Sequence, residues 1–175
     1  MSSSPESRAV VVTGVSTGIG LGIARVLVSH GIHVFGSVRR ADDGERVRAE
    51  LGARFTSLAF DVTQPESIQA SVPTVSAHLA GRTLAGLVNN SGIAIGGPLI
   101  YQPLDEVRRV LEVNTIGALA VTQAFVPLLG VDRSRTGAPG RIVNISSVAG
   151  RLSAPFLGAY AASKRGLEGM SDSLR

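Results

Sequence analysis

The stretch "AVVVTGVSTGIGLGIARVLVSHG", residues 9–31, decides how the chain is built. Residues 9–13 are a short, largely β-branched run with no helical period, which reads as a buried strand. Glycines at 14, 18 and 20 interrupt it. Residues 18–31 then resume with helical spacing, and Ile19, Ile23, Val26 and Leu27 are expected on one apolar face. Strand, glycine turn and helix follow one another with nothing between them. Gly14 suits a tight turn, Gly18 allows close approach of backbone N–H groups to an anion, and Gly20 permits close helix–strand packing. The helix N-terminus adds unpaired donors and a partial positive charge, so a pyrophosphate is the expected guest.

The same alternation continues outward. Strands are predicted at 33–38, 54–62, 84–90 and 141–146. Helices are predicted at 43–51, 65–79, 104–129 and from 158 onward, and a polar loop at 130–140. Strands separated by helices of this length imply parallel βαβ units, and hence an α/β, doubly wound parallel sheet with helices on both faces. In such sheets ligands sit at the carboxyl ends of the strands, which is where the motifs of this chain fall. Residues 1–8 are polar and read as a flexible tail, leaving 9–175 as one dinucleotide-binding and catalytic domain.

Composition narrows the function. Of 175 residues, 44% are apolar and 17% charged, a globular balance far from that of disordered chains. With no cysteine there is no disulfide or thiolate site, and the three histidines show no ligand spacing, so no metal is expected. The net charge of +4 comes from arginines interleaved with acids, and aromatics are only 4%; no nucleic-acid partner is expected. No apolar run reaches the ~18 residues of a membrane span, and nothing resembles a signal peptide. A cytoplasmic location fits this picture.

About twenty residues past the glycine turn, NAD sites carry an acid on the adenosine ribose. Here "SVRR" (37–40) places Arg39 and Arg40 instead. A guanidinium fork suits a 2′-phosphate, so NADP is the preferred cofactor and NAD the alternative. Further on, "YAASK" (160–164) sets a phenol and an ammonium four residues apart, on one helix face. A free phenol titrates near 10, so service as a base near neutrality needs ~4 kcal/mol of preferential phenolate stabilisation, for which a nearby ammonium has the right sign.

The G-x-x-x-G-x-G turn, "NNSG" at 89–92, "NISS" at 144–147 and "YAASK", in that order, resemble the short-chain dehydrogenase/reductase family. The resemblance implies a Rossmann-type fold and hydride transfer between NADP and an alcohol or carbonyl compound. It implies a catalytic set of Asn114, Ser147, Tyr160 and Lys164. Tyr160 would be the acid/base; Lys164 would lower the tyrosine pKa and hold the nicotinamide ribose. Ser147, thirteen residues before Tyr160, would orient the substrate oxygen, with Ser146 as its rival. Asn114 would support a proton relay. The resemblance also implies cofactor contacts from Ser16, Thr17 and Ile19 in the turn, from Asp61 and Val62 after the third strand, and from Asn90, Ser91 and Gly92.

The segments 93–101 and 151–158 are expected to line an apolar substrate pocket. Family members run on for some seventy further residues with two more strands, so the chain is expected to hold strands 1–5 and to be part of a longer enzyme. The full-length form is expected to be a homodimer or homotetramer. A non-catalytic NADP-binding module, or an inactive fragment of such an enzyme, is the alternative.

Overall fold

A computed structural model describes residues 8–175. The tail expected at 1–8 falls almost wholly outside the described residues; of it only Arg8 is described, and its carbonyl accepts the His33 N–H at 2.8 Å. The element order is β1 (Ala9–Val12), α1 (Gly18–Ser29), β2 (His33–Val38), α2 (Ala41–Leu51), β3 (Phe55–Ala59), α3 (Pro65–Leu79), β4 (Gly86–Asn89), α4 (Leu104–Leu111), α5 (Gly117–Phe125), β5 (Arg141–Asn144) and α6 (Gly158–Ser173).

All five strands are parallel, in the order β3-β2-β1-β4-β5. The winding therefore reverses between β1 and β4, which opens a crevice at their carboxyl ends. Strand alternation divides the core in two. Ala9 and Val11 face Ile68, Val75 and Leu79 of α3 and Val121 and Phe125 of α5. Val10 and Val12 face Leu21 and Ala24 of α1 and Val47 of α2. A doubly wound sheet covered on both faces is the architecture the sequence predicted.

Three expectations change. The third strand ends at Ala59 rather than 62, because Phe60 makes a last bond to the Val38 carbonyl and Asp61 opens a turn. The buried face of α1 is Gly20, Leu21 and Ala24, while Ile19 and Val26 are 65% and 58% exposed. Ile23 and Leu27 do pack against the core as expected, half-buried, and Gly20 lets the helix approach the glycine turn closely.

The helix predicted over 104–129 is the third. It is interrupted by a π turn at Glu112–Ile116 and finishes as a 3-10 turn, Val126–Leu129, where Pro127 has no N–H to give. By length and composition this 26-residue stretch could cross a membrane, an 18-residue window within it having a mean hydropathy of 1.3. Its Val110, Val121 and Phe125 are buried in the domain.

Candidate active site

The glycine turn is held from three sides. Gly14 has φ +69° and donates its N–H to Ser37 Oγ on β2 at 3.0 Å. Asn90, just past β4, donates Nδ2–H to the carbonyls of Thr13 (2.8 Å) and Gly14 (3.2 Å). Thr13 Oγ1 in turn accepts the N–H groups of Asn90 and Ser91, both at 2.9 Å. A Cβ on Gly20 would run into the Gly14 carbonyl and Asn90 Nδ2. Gly18, at φ +59°, faces open space. Thr17, the N-cap of α1, makes no side-chain cap, so the first-turn N–H groups are left for a ligand. This cradle fits a pyrophosphate. Thr13 and Ser37 were not singled out from the sequence; the signal was that the parallel register of β1 and β2 brings the two polar strand ends level.

Beyond β2, Arg39 is exposed on the crevice wall and forms no ion pair among the described residues. Arg40 does not line the crevice; it turns toward Asp42 at 3.7 Å. Asp61 Oδ1 accepts both the N–H (2.9 Å) and the hydroxyl (2.8 Å) of Thr63. Val62 is buried on the same wall and packs on Gly117, where a Cβ would come within 2.9 Å of it.

At the other end, Tyr160 and Lys164 project from α6 into the same crevice as Ser16, Thr17 and Ile19 of the turn and Ser91 and Gly92 after β4. Lys164 is 4% exposed; its Nζ donates to the Ile145 carbonyl at 2.7 Å and lies 5.8 Å from the Tyr160 ring centre. Burial pushes its ammonium below the ordinary lysine value, since water is withdrawn from the charged form. The crevice volume is about 720 Å³, room for a dinucleotide-sized guest.

Asn114 sits in the π turn, 1% exposed and outside the crevice lining. Its side chain is spent on Ile93 and on Ser163 Oγ, the latter at 2.9 Å. Ser163 lies directly before Lys164, so Asn114 joins the loop after β4 to α6. Ser147 caps a short 3-10 turn, its Oγ accepting the Ala149 N–H at 3.2 Å, and does not line the crevice. Ser146 does line it, with a buried Oγ that has no hydrogen-bond partner among the described residues.

The segments expected to line the substrate pocket touch each other, but of 93–101 and 151–158 only Ile93 and Ala94 line the crevice. Gly97 N–H donates to the Phe156 carbonyl at 2.8 Å, and Leu99, Ile100, Leu152 and Phe156 are exposed there.

Strand order and a glycine cradle at the switch point of the sheet define a domain of Rossmann type, with a lysine–tyrosine pair on the same crevice. The chain belongs to the short-chain dehydrogenase/reductase family: a family model described as short chain dehydrogenase matches residues 8–175. It is 36% identical over 168 residues to an NADPH-dependent 3-dehydrocapnine reductase of Ornithobacterium rhinotracheale, covering 96% of this chain and 59% of the relative. It is 41% identical over 173 residues to human retinol dehydrogenase 5, covering 98% and 52%. Among solved structures, a short-chain dehydrogenase from Streptomyces avermitilis superposes with a TM-score of 0.88 at 33% identity, covering 98% of this chain and 60% of that one. The chain thus spans between half and three-fifths of the length of these relatives.

Proposed function

We propose that the protein is an NADP-dependent oxidoreductase that interconverts an alcohol and a ketone or aldehyde. The observation that carries this reading is the convergence of Tyr160 and Lys164 with the glycine cradle on one crevice. The cradle, with the open space at Gly18 and the uncapped start of α1, would hold the pyrophosphate, and Arg39 the 2′-phosphate. A reductase named for NADPH among the relatives supports the choice of cofactor. When bound, the nicotinamide supplies or accepts the hydride.

In reduction Tyr160 gives its hydroxyl proton to the carbonyl oxygen, and in oxidation it takes the alcohol proton back. The Lys164 ammonium stabilises the phenolate left behind and holds the ribose beside it. A serine after β5 orients the substrate oxygen: Ser147 by its spacing from Tyr160, its hydroxyl proton being left free by the Ala149 bond, with Ser146, which lines the crevice, as the rival. Asn114 seats the loop carrying Ile93 against α6, which fixes one wall of the site, and in the family role it supports a water-linked proton relay to Lys164. Exposed apolar side chains at Leu99, Ile100, Leu152 and Phe156, on the two segments joined by the Gly97–Phe156 bond, suit a hydrophobic substrate. Retinol and 17-beta-hydroxysteroid dehydrogenases among the relatives point the same way. The protein pairs into homodimers or homotetramers through the helices of 104–129 and α6.

The test follows NADPH oxidation with an apolar ketone as substrate. Tyr160→Phe is expected to lower kcat by about a hundredfold or more while leaving the NADPH Kd unchanged. An unchanged rate would overturn the assignment.

A further inference from the structure

Arg46 belongs to none of the motifs above, yet its guanidinium reaches the glycine turn from α2. Its Nη2 donates to the Ser16 carbonyl at 2.6 Å and to Asp43 Oδ1 at 3.1 Å. Both bonds use one terminal nitrogen, so Nε and Nη1 have no hydrogen-bond partner among the described residues. Ser16 and Arg39 lie on the wall of the same crevice, one on the turn and one at the end of β2. In a Rossmann site the adenosine ribose rests between those two elements. The Ser16 carbonyl alone would present a partial negative charge there, and Arg46 covers it with a positive one. Arg40, which the sequence offered as the second cation, is turned away to Asp42.

We propose that Arg46 is a second specificity-determining residue: together with Arg39 it forms a two-guanidinium site for the 2′-phosphate of NADP. This deepens the NADP reading above and rests on it. Asp43 balances Arg46 when no phosphate is present. A phosphomonoester carries more charge than one carboxylate and offers three acceptor oxygens, so it competes for the free edge of the guanidinium.

Adenosine 2′,5′-bisphosphate and 5′-AMP differ by this one phosphate, and neither needs the nicotinamide half of the site. Both are titrated into the 175-residue chain, without phosphate buffer, by calorimetry. The wild type is expected to prefer the bisphosphate. Arg46→Gln should cut that preference about tenfold, as befits the loss of a charge-assisted contact, and leave 5′-AMP binding unchanged. Arg46→Lys should restore part of it, and Asp43→Asn should tighten the bisphosphate alone.

If Arg46→Gln weakens both ligands equally, Arg46 only shapes the turn and the proposal fails. If it changes neither while Arg39→Gln abolishes the preference, the proposal fails but the NADP reading stands. No preference in the wild type, or no binding of either ligand, overturns both.

Discussion

Asn114 and Ile93 are joined like two residues of a sheet: Ile93 N–H donates to Asn114 Oδ1 at 2.8 Å, and Asn114 Nδ2–H donates to the Ile93 carbonyl at 2.8 Å. One buried side chain thus satisfies both backbone groups of a residue in a loop. Replacing it by alanine leaves those half-buried groups and the buried Ser163 short of a partner. Asn114→Ala is expected to lower stability by about 2–3 kcal/mol, read as a fall in the urea midpoint at unchanged m-value.

Gly18 and Gly20 are two residues apart and should fail differently when given a methyl group. At Gly20 the methyl meets the Gly14 carbonyl and Asn90, so Gly20→Ala should cost both stability, by about 1–3 kcal/mol, and NADPH binding. At Gly18 the methyl meets no protein atom, although φ is +59°. Gly18→Ala should keep most of the stability, losing about 1 kcal/mol to backbone strain, and lose NADPH affinity. Equal loss of stability in the two variants would contradict this account of the cradle.

His33 and His78 stack at the far end of the sheet, their ring centres 4.1 Å apart, with Phe35 against both. His33 Nε2 also pairs with Thr56 Oγ1 at 3.0 Å. Burial, then His78 and Arg54, push the His33 imidazole from 6.5 down to about 4. Burial, then Arg82, pushes His78 down as well. Between about 4 and 6.5 the unfolded chain therefore binds more protons at His33 than the folded one. That contribution to stability is intact above 6.5 and is lost as pH falls through this window. Calorimetric Tm values at pH 7, 5.5 and 4 should decline less steeply in His33→Phe than in the wild type. Parallel declines would show that His33 plays no part in acid sensitivity.

Lys164 is a buried cation with no carboxylate beside it among the described residues, and burial depresses its pKa. Replacing it by a similarly shaped apolar side chain removes that desolvation cost but orphans the Ile145 carbonyl. The two effects oppose each other at similar size. Lys164→Met should stay within about 1 kcal/mol of wild-type stability, measured by urea unfolding, while turnover is lost. A protein that unfolds outright would assign Lys164 a structural role instead.

The sheet was legible because β-branched runs alternate with helical spacing, and that pattern leaves few topologies. The glycine cradle was legible because its residues are adjacent in sequence. What escaped depends on contacts across the sequence. The π turn at Glu112–Ile116 leaves the apolar spacing of 104–129 nearly intact, so periodicity could not reveal it. Ser37 reaches the turn only through the pairing of β1 with β2, and Thr13 reaches the loop after β4 only through that of β1 with β4. Arg39 and Arg40 are identical by type, and only the position of Asp42 separates them. Arg46 lay in a charged helix that reads as solvated surface until its reach to Ser16 is seen.

The bonds from Asn90 to Thr13 join residues 77 apart in the sequence. Closing a loop of that length is entropically costly and forms late relative to the local β1–α1–β2 pairing. The first half of the sheet can therefore assemble while its anion-binding turn is still slack, and the turn tightens only once β4 has docked beside β1. Competence to bind a nucleotide would then mark the end of folding rather than its beginning, and on the ribosome the nascent chain would be blind to cofactor until β4 had emerged.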